Sequence, residues 1–353
     1  MARGVQEGVF PGAVLAVWHR DKCLIEAFGW RALYPRLETN YPDTVYDLAS
    51  LTKPLATSLA TMFLLAQGKL SLEDRPYEVL GGPPWFKEVQ VWHLLSHRAG
   101  LPAYRPYFAR LIEYPLAQRK EILMQWILDE PPAYPVGLKE IYSDLGFYIL
   151  GCFLERKTGK DLALLFDQAL GYLFPDQQPT LLFLPRRKMA RKDIAPTEYC
   201  PWRGKLLRGE VHDENTWVIG GVAGQAGLFG SAEAVMTLLL RLWQFYKGEK
   251  HCFPLTPVVK TFWDWGKPGE RALGFDRPSP KHSSAGDLIA PDAVGHLGFT
   301  GTSFWIDKEK EVIIVLLTNR VHPQRGNEKI RAFRPVLHQL ILHKILKNSC
   351  LSA

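Results

Sequence analysis

Residues 47–57 read DLASLTKPLAT, and inside them Ser50-Leu51-Thr52-Lys53 sets a serine three places before a lysine. Such a serine is either the start of a helix, its hydroxyl capping exposed backbone N–H groups, or a nucleophile beside a group that takes its proton. With 12 Ser and 21 Lys in 353 residues, roughly 0.7 such pairs arise by chance. The one pair present therefore does not decide between the two. Downstream, Leu55, Leu59, Met62, Phe63 and Ala66 recur at helical spacing, Pro54 suits a first turn, and Gly68 marks a stop. A helix begins near Ser50, and Ser50 and Lys53, three apart, share one of its faces.

Working outward, PGAVLAVW (11–18), a polar HRDK and CLIEAFGW (23–30) read as an antiparallel hairpin. GFTGTSFWI (298–306), DKEK and EVIIVLLTN (311–319) read as a second one. The unbroken apolar run 312–317 predicts a strand buried on both faces. Between the hairpins the pattern is helical, around Leu94 and Leu95, 122–127 and 149–154, with Pro- and Arg-rich loops over 175–210. A long terminal helix over 330–346 is expected to turn Ala332, Val336, Leu340, Ile341 and Ile345 inward. The expected architecture is α/β (α+β), with an antiparallel sheet built from both chain ends. Residues 1–48 and 218–353 form the sheet-containing domain, and 49–217 a mainly helical lobe. A cleft where two such parts meet is a usual place for a small-molecule site.

Composition narrows the function. At 47% hydrophobic and 22% charged the chain resembles an ordinary globular protein. The net charge of +7 is scattered, and RRKMARK (186–192) reads as a solvated loop without a nucleic-acid motif beside it. The five cysteines, at 23, 152, 200, 252 and 350, have no metal or redox spacing, so free thiols in a reducing compartment are expected. No leader pattern opens the chain and no stretch approaches 18 apolar residues, so no membrane span is expected. A full-length chain of this kind is expected in the cytoplasm, and one trimmed of a leader in the periplasm or outside the cell. No G-x-S-x-G, H-E-x-x-H, P-loop or G-x-G-x-x-G is present. His93 and His97 in HLLSH lack a third ligand, so capping or core roles fit better than a metal. The glycine-rich GGVAGQAGLFG (220–230) suits close backbone packing better than phosphate binding. Neither a metal nor a cofactor is expected; the oligomeric state is left open.

Three further stretches stand beside Ser50 and Lys53: Tyr142-Ser143-Asp144, His296-Leu297-Gly298, and the connectors SHRAGLP (96–102) and HDENTWVIGGVAGQAGLF (212–229). Ser-x-x-Lys, Tyr-x-Asn and Lys/His-x-Gly, in that order, mark the serine hydrolases related to class C β-lactamases. These include penicillin-binding D,D-carboxypeptidases, D-aminopeptidases and esterases. The chain resembles this family through spacings of 92 and 154 residues between the three motifs. Its flanks PGAVLAV, LLSHRAGLP and NRVHPQRGNEKIRAFRP match as well, so the resemblance spans about residue 8 to 345. It implies a β-lactamase/transpeptidase-like fold and an ester- or amide-cleaving enzyme working on a small molecule or peptide through a Ser50 acyl-enzyme. It also implies Tyr142 as a proton shuttle, with backbone N–H groups of Ser50 and Phe299 binding the oxyanion. Asp144, His296 and Gly298 would line the substrate site, Gly298 leaving room along its strand.

Lysine acts as a base only when neutral, so burial or a nearby cation is expected to lower the pKa of Lys53; stabilising a Tyr142 phenolate or sharing its proton are the other roles open to it. Asp144 stands where the family carries asparagine, and a carboxylate only accepts hydrogen bonds. His296 replaces a lysine, which removes a permanent cation from the expected substrate-carboxylate site, and Gln225 stands where relatives carry histidine. These departures favour an esterase or a D-amino-acid peptidase over an efficient β-lactamase. Taken singly, Ser50 could be a cap, Tyr142 a packed aromatic and His296 a strand end; His97 and Asp213 read as loop-holding residues. The rival reading is a catalytically silent ligand-binding or scaffold protein of the same fold.

Overall fold

The computed structural model describes residues 1–249, 254–267 and 269–350. Cys252 and the side chain of Cys350 lie outside that description, while Cys23, Cys152 and Cys200 are free thiols.

Strands β1 (Gly12–His19), β2 (Lys22–Ala32) and β3 (Glu38–Thr39) come from the first residues of the chain. The short β4 (Tyr46–Asp47) leads into the Ser50 segment. Next come β5 (Leu181–Phe183), β6 (Tyr199–Cys200), β7 (Lys205–Leu206) and β8 (Leu228–Gly230). The last are β9 (Val294–Leu297), β10 (Ser303–Asp307) and β11 (Val312–Thr318). The main sheet runs β3-β2-β1-β11-β10-β9, so the two ends of the chain meet at the antiparallel β1–β11 pair, Ala13 opposite Thr318. A second sheet, β4-β8-β5, ties the segment before Ser50 to the glycine-rich loop.

Both expected hairpins form. The first turns on two residues, Arg20 and Asp21, since His19 pairs with Lys22. In the second, residues 298–302 are not strand: they form a turn between β10 and the separate strand β9, which carries His296. Its short strand, broken by Gly295 and Gly298, is too weak a pattern to read from sequence. All seven residues of β11 are buried. Val315 and Leu317 join the large core shared with the helices, and Ile314 and Leu316 join a second core under the terminal helix.

Between these strands lie Val91–Leu95, Leu116–Leu128, Asp144–Thr158 and Leu162–Leu173 as helices. The stretch Ala49–Ala66 has the length and composition of a bilayer-crossing helix, but 83% of it is buried inside the fold, as in a core segment, so no clear membrane span emerges among the described residues. The terminal helix, Ile330–Cys350, keeps part of its expected face, Ile341 and Ile345 packing against the second core, and departs from the rest. Ala332, Val336 and Leu340 point to solvent, Leu340 at 63% exposure, while Arg334, Leu337, His338 and Leu342 are buried. A rule that sends polar residues outward fails where an arginine and a histidine have partners inside: Arg334 bonds to backbone carbonyls and His338 Nδ1 to the Ser284 carbonyl.

Candidate active site

The nucleophile motif is not one regular helix. Ala49–Leu51 is a 3₁₀ turn, Lys53–Ser58 a π-helical segment, and the α-helix proper starts at Leu59. Such π segments cluster at functional sites. Ala49 takes a left-handed φ of 48°, uncommon for a non-glycine residue. The buried Asp47 carboxylate holds it there, accepting from Ala49 N at 2.9 Å and from His212 N at 2.6 Å.

Lys53 is fully buried, and its ammonium has three acceptors: Ser50 Oγ at 3.1 Å, Asp144 Oδ1 at 2.6 Å and the Gln225 carbonyl at 3.2 Å. Asp144 Oδ1 and the Gln225 carbonyl only accept, while the Ser50 hydroxyl can accept from an ammonium or donate to an amine. The direction in which Lys53 is shifted is the reverse of the one expected from the sequence. Burial pushes the amine down, but Asp144 and Tyr142 outweigh it and hold Lys53 above the usual lysine value. Burial likewise pushes the Tyr142 phenol up, against the pull of Lys53, whose Nζ stands 4.8 Å from the Tyr142 ring centroid. At rest the group comprises an ammonium, a carboxylate and a neutral phenol.

The connector 96–102 positions two of these residues. Ser143 caps the helix Asp144–Thr158, accepting from Gly146 N at 3.2 Å and donating to the Pro102 carbonyl at 2.7 Å. Ser143 N donates to His97 Nδ1 at 3.0 Å, and Asp144 N to the Ala103 carbonyl at 2.9 Å. His97 thus acts as a neutral acceptor, pushed well below its ordinary value chiefly by burial, and its ring packs 4.7 Å from that of Tyr142. Asp144 opens its helix, where the N-terminal dipole favours a negative charge. His93 and Asp213 hold local structure as expected, His93 Nδ1 accepting from Gln90 N and Asp213 capping the helix Glu214–Val218.

Opposite, the turn after β9 is fastened to the backbone just before Ser50. Thr300 Oγ1 donates to the Asp47 carbonyl at 2.8 Å and Thr302 Oγ1 to that of Leu48 at 3.1 Å. A Cβ on Gly298 would overlap Thr302 Oγ1 and stand 2.8 Å from the Leu48 oxygen. Gly298 is therefore required for this approach of two backbones, a different reason from the room for substrate that the sequence suggested. The glycine loop packs in the same way: a Cβ on Gly224 would overlap the Phe147 carbonyl oxygen.

These elements enclose a cleft of about 680 Å³ whose walls include Ser50, Tyr142, Asp144, Gln225, His296, Gly298 and Phe299. The residues expected to act as nucleophile, proton carriers, oxyanion donors and substrate contacts thus meet in one place, with Lys53 just beneath. His296 donates from Nδ1 to the Leu297 carbonyl, and burial, then Lys53, keeps its imidazole neutral. Cations are nonetheless present: Arg271, Arg320, Arg325, Arg331 and Arg334 line the cleft. The Arg271 guanidinium stands 5.1 Å from the Tyr142 ring centroid. Four of them, Arg320, Arg325, Arg331 and Arg334, lie in the stretch NRVHPQRGNEKIRAFRP already noted for its likeness to the family, but nothing local in it says that they face the cleft, and Arg271 stands alone. Among the described residues no cluster of His, Cys, Asp or Glu could hold a metal ion.

A sheet made from both chain ends, helices beside it, and a Ser–Lys–Tyr group in the cleft define a serine hydrolase of the β-lactamase and penicillin-binding type. A family model described as Beta-lactamase matches residues 1–337, and the chain belongs to that family. Over 354 aligned residues, covering 89% of this chain and 78% of the relative, it is 32% identical to the N-acetylmuramyl-L-alanine amidase of Bacillus subtilis (strain 168). Two solved structures share the fold. EstCE1, a hydrolase with promiscuous acyltransferase activity, superposes with a TM-score of 0.69 at 20% identity, over 94% of this chain and 95% of its own. A beta-lactamase/D-alanine carboxypeptidase from Pseudomonas syringae does so with a TM-score of 0.68 at 19% identity, over 95% and 96%.

Proposed function

We propose that Ser50 is the nucleophile of an amide- or ester-cleaving acyl transfer, and that Asp144 makes the lysine usable. The observation that carries this reading is the buried Lys53 ammonium between Ser50 Oγ and Asp144 Oδ1, at 3.1 and 2.6 Å. Lys53 first gives a proton to Asp144, and as Ser50 Oγ bonds to the substrate carbonyl carbon its proton passes to the amine so freed. The carbonyl oxygen becomes an oxyanion held by the N–H groups of Ser50 and Phe299; losing one such donor typically costs about 10²–10³ in rate. When the intermediate collapses, Tyr142 protonates the leaving group and is refilled through Lys53 from Asp144. The resting charges return and Ser50 carries the acyl group. Water then repeats the sequence in place of Ser50.

The amidase relative supports an amide of a muramyl-type acid as the first substrate to try. An ester- or amide-cleaving role fits better than efficient β-lactam hydrolysis, because Asp144 offers no N–H to an acylamide side chain. Intact-mass measurement after treatment with a fluorophosphonate tests the nucleophile: one adduct is expected on the native protein and none on Ser50→Ala. An unchanged adduct on that variant would refute it. Tyr142→Phe is expected to lose most turnover while keeping the fold.

A further inference from the structure

A second cavity, of about 370 Å³, shares no lining residue with the reaction cleft. Leu184, Val211, Trp217 and Phe229 give it an apolar lining. Two exposed arginines, Arg186 and Arg187, also line it, and both come from the basic stretch 186–192, which the acyl-transfer chemistry does not use. The charges there do not balance. Glu210, the one carboxylate of the lining, is already met by Arg186 at 3.1 Å, by Lys205 at 2.8 Å and by the Trp217 Nε1–H at 3.1 Å. Arg187 has no carboxylate at ion-pair distance among the described residues. Three cations thus stand with one anion beside apolar walls. The backbone around them is held in unusual conformations. Leu184 takes a left-handed φ of 50°, and a Cβ on Gly221, itself at φ 91°, would stand 2.7 Å from Leu184 Cδ2. A left-handed leucine is uncommon and costs energy, and such residues cluster at ligand sites.

The walls of this cavity lead to the groups around Ser50. Phe229 pairs with Asp47 between β8 and β4, and His212, next to Val211, donates to the Asp47 carboxylate. Asp47 in turn keeps Ala49 left-handed before Ser50. On the other wall Gly221 N donates to the Thr216 carbonyl at 2.9 Å, Gln225 Nε2 to Thr216 Oγ1 at 2.9 Å, and the Gln225 carbonyl accepts from Lys53. We propose that the cavity is an effector site for a small organic anion, a flat apolar body carrying a phosphate or carboxylate head, and that its occupancy raises the reactivity of Ser50. The volume suits a body of about two fused rings, and the planar Arg187 guanidinium suits the head, which accepts two parallel N–H bonds. A ring packed between Val211 and Phe229 adds contacts to both walls and stiffens the loops that fix Asp47 and the Gln225 carbonyl. The rate effect rests on the serine-hydrolase reading of the cleft; the binding does not.

The test titrates the native protein with 1-naphthyl phosphate, and with neutral 1-naphthol as its control. Binding is read by calorimetry and kcat/KM on a neutral activated ester. The phosphate is expected to bind at least about tenfold more tightly than the naphthol, and to raise kcat/KM by about fivefold, the low end of usual coupling between two sites. Arg187→Glu is expected to weaken the phosphate by at least about tenfold while leaving the naphthol affinity and the basal kcat/KM unchanged. Protein whose Ser50 carries a fluorophosphonate adduct is expected to bind the phosphate still. Four results would overturn the proposal: no saturable binding below about 1 mM, binding abolished by the adduct, binding that leaves kcat/KM unchanged, or a fall in kcat/KM through KM alone, which would make the cavity part of the substrate site. If native Ser50 does not label, the serine-hydrolase reading fails and the rate effect with it, whereas calorimetry on the native protein and Arg187→Glu still decides the site.

Discussion

Asp144→Asn changes one atom and should change which group can accept the Ser50 proton. The pair it breaks is a 2.6 Å contact to a buried ammonium. Two unit charges at that distance in an effective dielectric of about 20 attract by about 6 kcal/mol. The Asp144 side chain is 25% exposed, and screening by water brings this to about 3 kcal/mol. Removing the carboxylate therefore lowers Lys53, which Asp144 and Tyr142 hold above its ordinary value, and leaves the neutral amine as the sole acceptor. The rate then follows the neutral fraction of the amine, so kcat/KM at neutral pH should fall by about 10–10²-fold and recover as pH rises. The native protein, with its carboxylate in place, should hold its rate down through neutral pH. The assay is the pH–kcat/KM profile of both proteins on one activated ester, with circular dichroism as the check on folding. An acid limb in Asp144→Asn within half a unit of the native one would refute the relay. A uniform loss at every pH would make Asp144 a positioning residue only.

Four other outcomes follow from the same geometry. Gly298→Ala forces the β9 turn away from Leu48 and is expected to cut kcat/KM by at least about tenfold and stability by about 1–3 kcal/mol, read by kinetics and urea unfolding. Ala49→Gly relieves the left-handed backbone before Ser50 and should be neutral or stabilising by up to about 1 kcal/mol, where the same change in a helix costs that much. The two N–H groups of Arg208, at 2.8 and 2.6 Å, pull Glu38 from 4.5 to about 2. Its stabilisation is thus present above about pH 4.5 and lost as pH falls toward 2; Glu38→Gln should lower stability at pH 7 by about 2 kcal/mol and flatten the fall of Tm between pH 5 and 2. His338, buried and neutral, is pushed down to about 4, chiefly by burial. It favours the fold above about pH 6.5 and costs stability as pH falls through that window, so His338→Gln should be less sensitive to acid between pH 6.5 and 4 if its packing is kept.

The Ser50, Tyr142 and His296 motifs, the terminal hairpins and the buried β11 were all legible in the sequence, since each depends on short-range pattern: residue type, order and apolar periodicity. Local pattern failed where burial ran against residue type. The face of the terminal helix was misjudged because Arg334 and His338 turn inward to carbonyl partners. The expected neutral Lys53 failed for a related reason. Its charge depends on Asp144, 91 residues away, and on the Gln225 carbonyl, 172 away, and no local rule brings those atoms to one nitrogen. The arginines of the cleft, one at 271 and four within 320–334, are brought to it in the same way, since no local rule says that they face Ser50. Sequence alone determined which residue types could do the chemistry and in what order they come. Only the tertiary structure decided their charge, because protonation and desolvation are set by whichever distant atoms the fold places within a few ångströms.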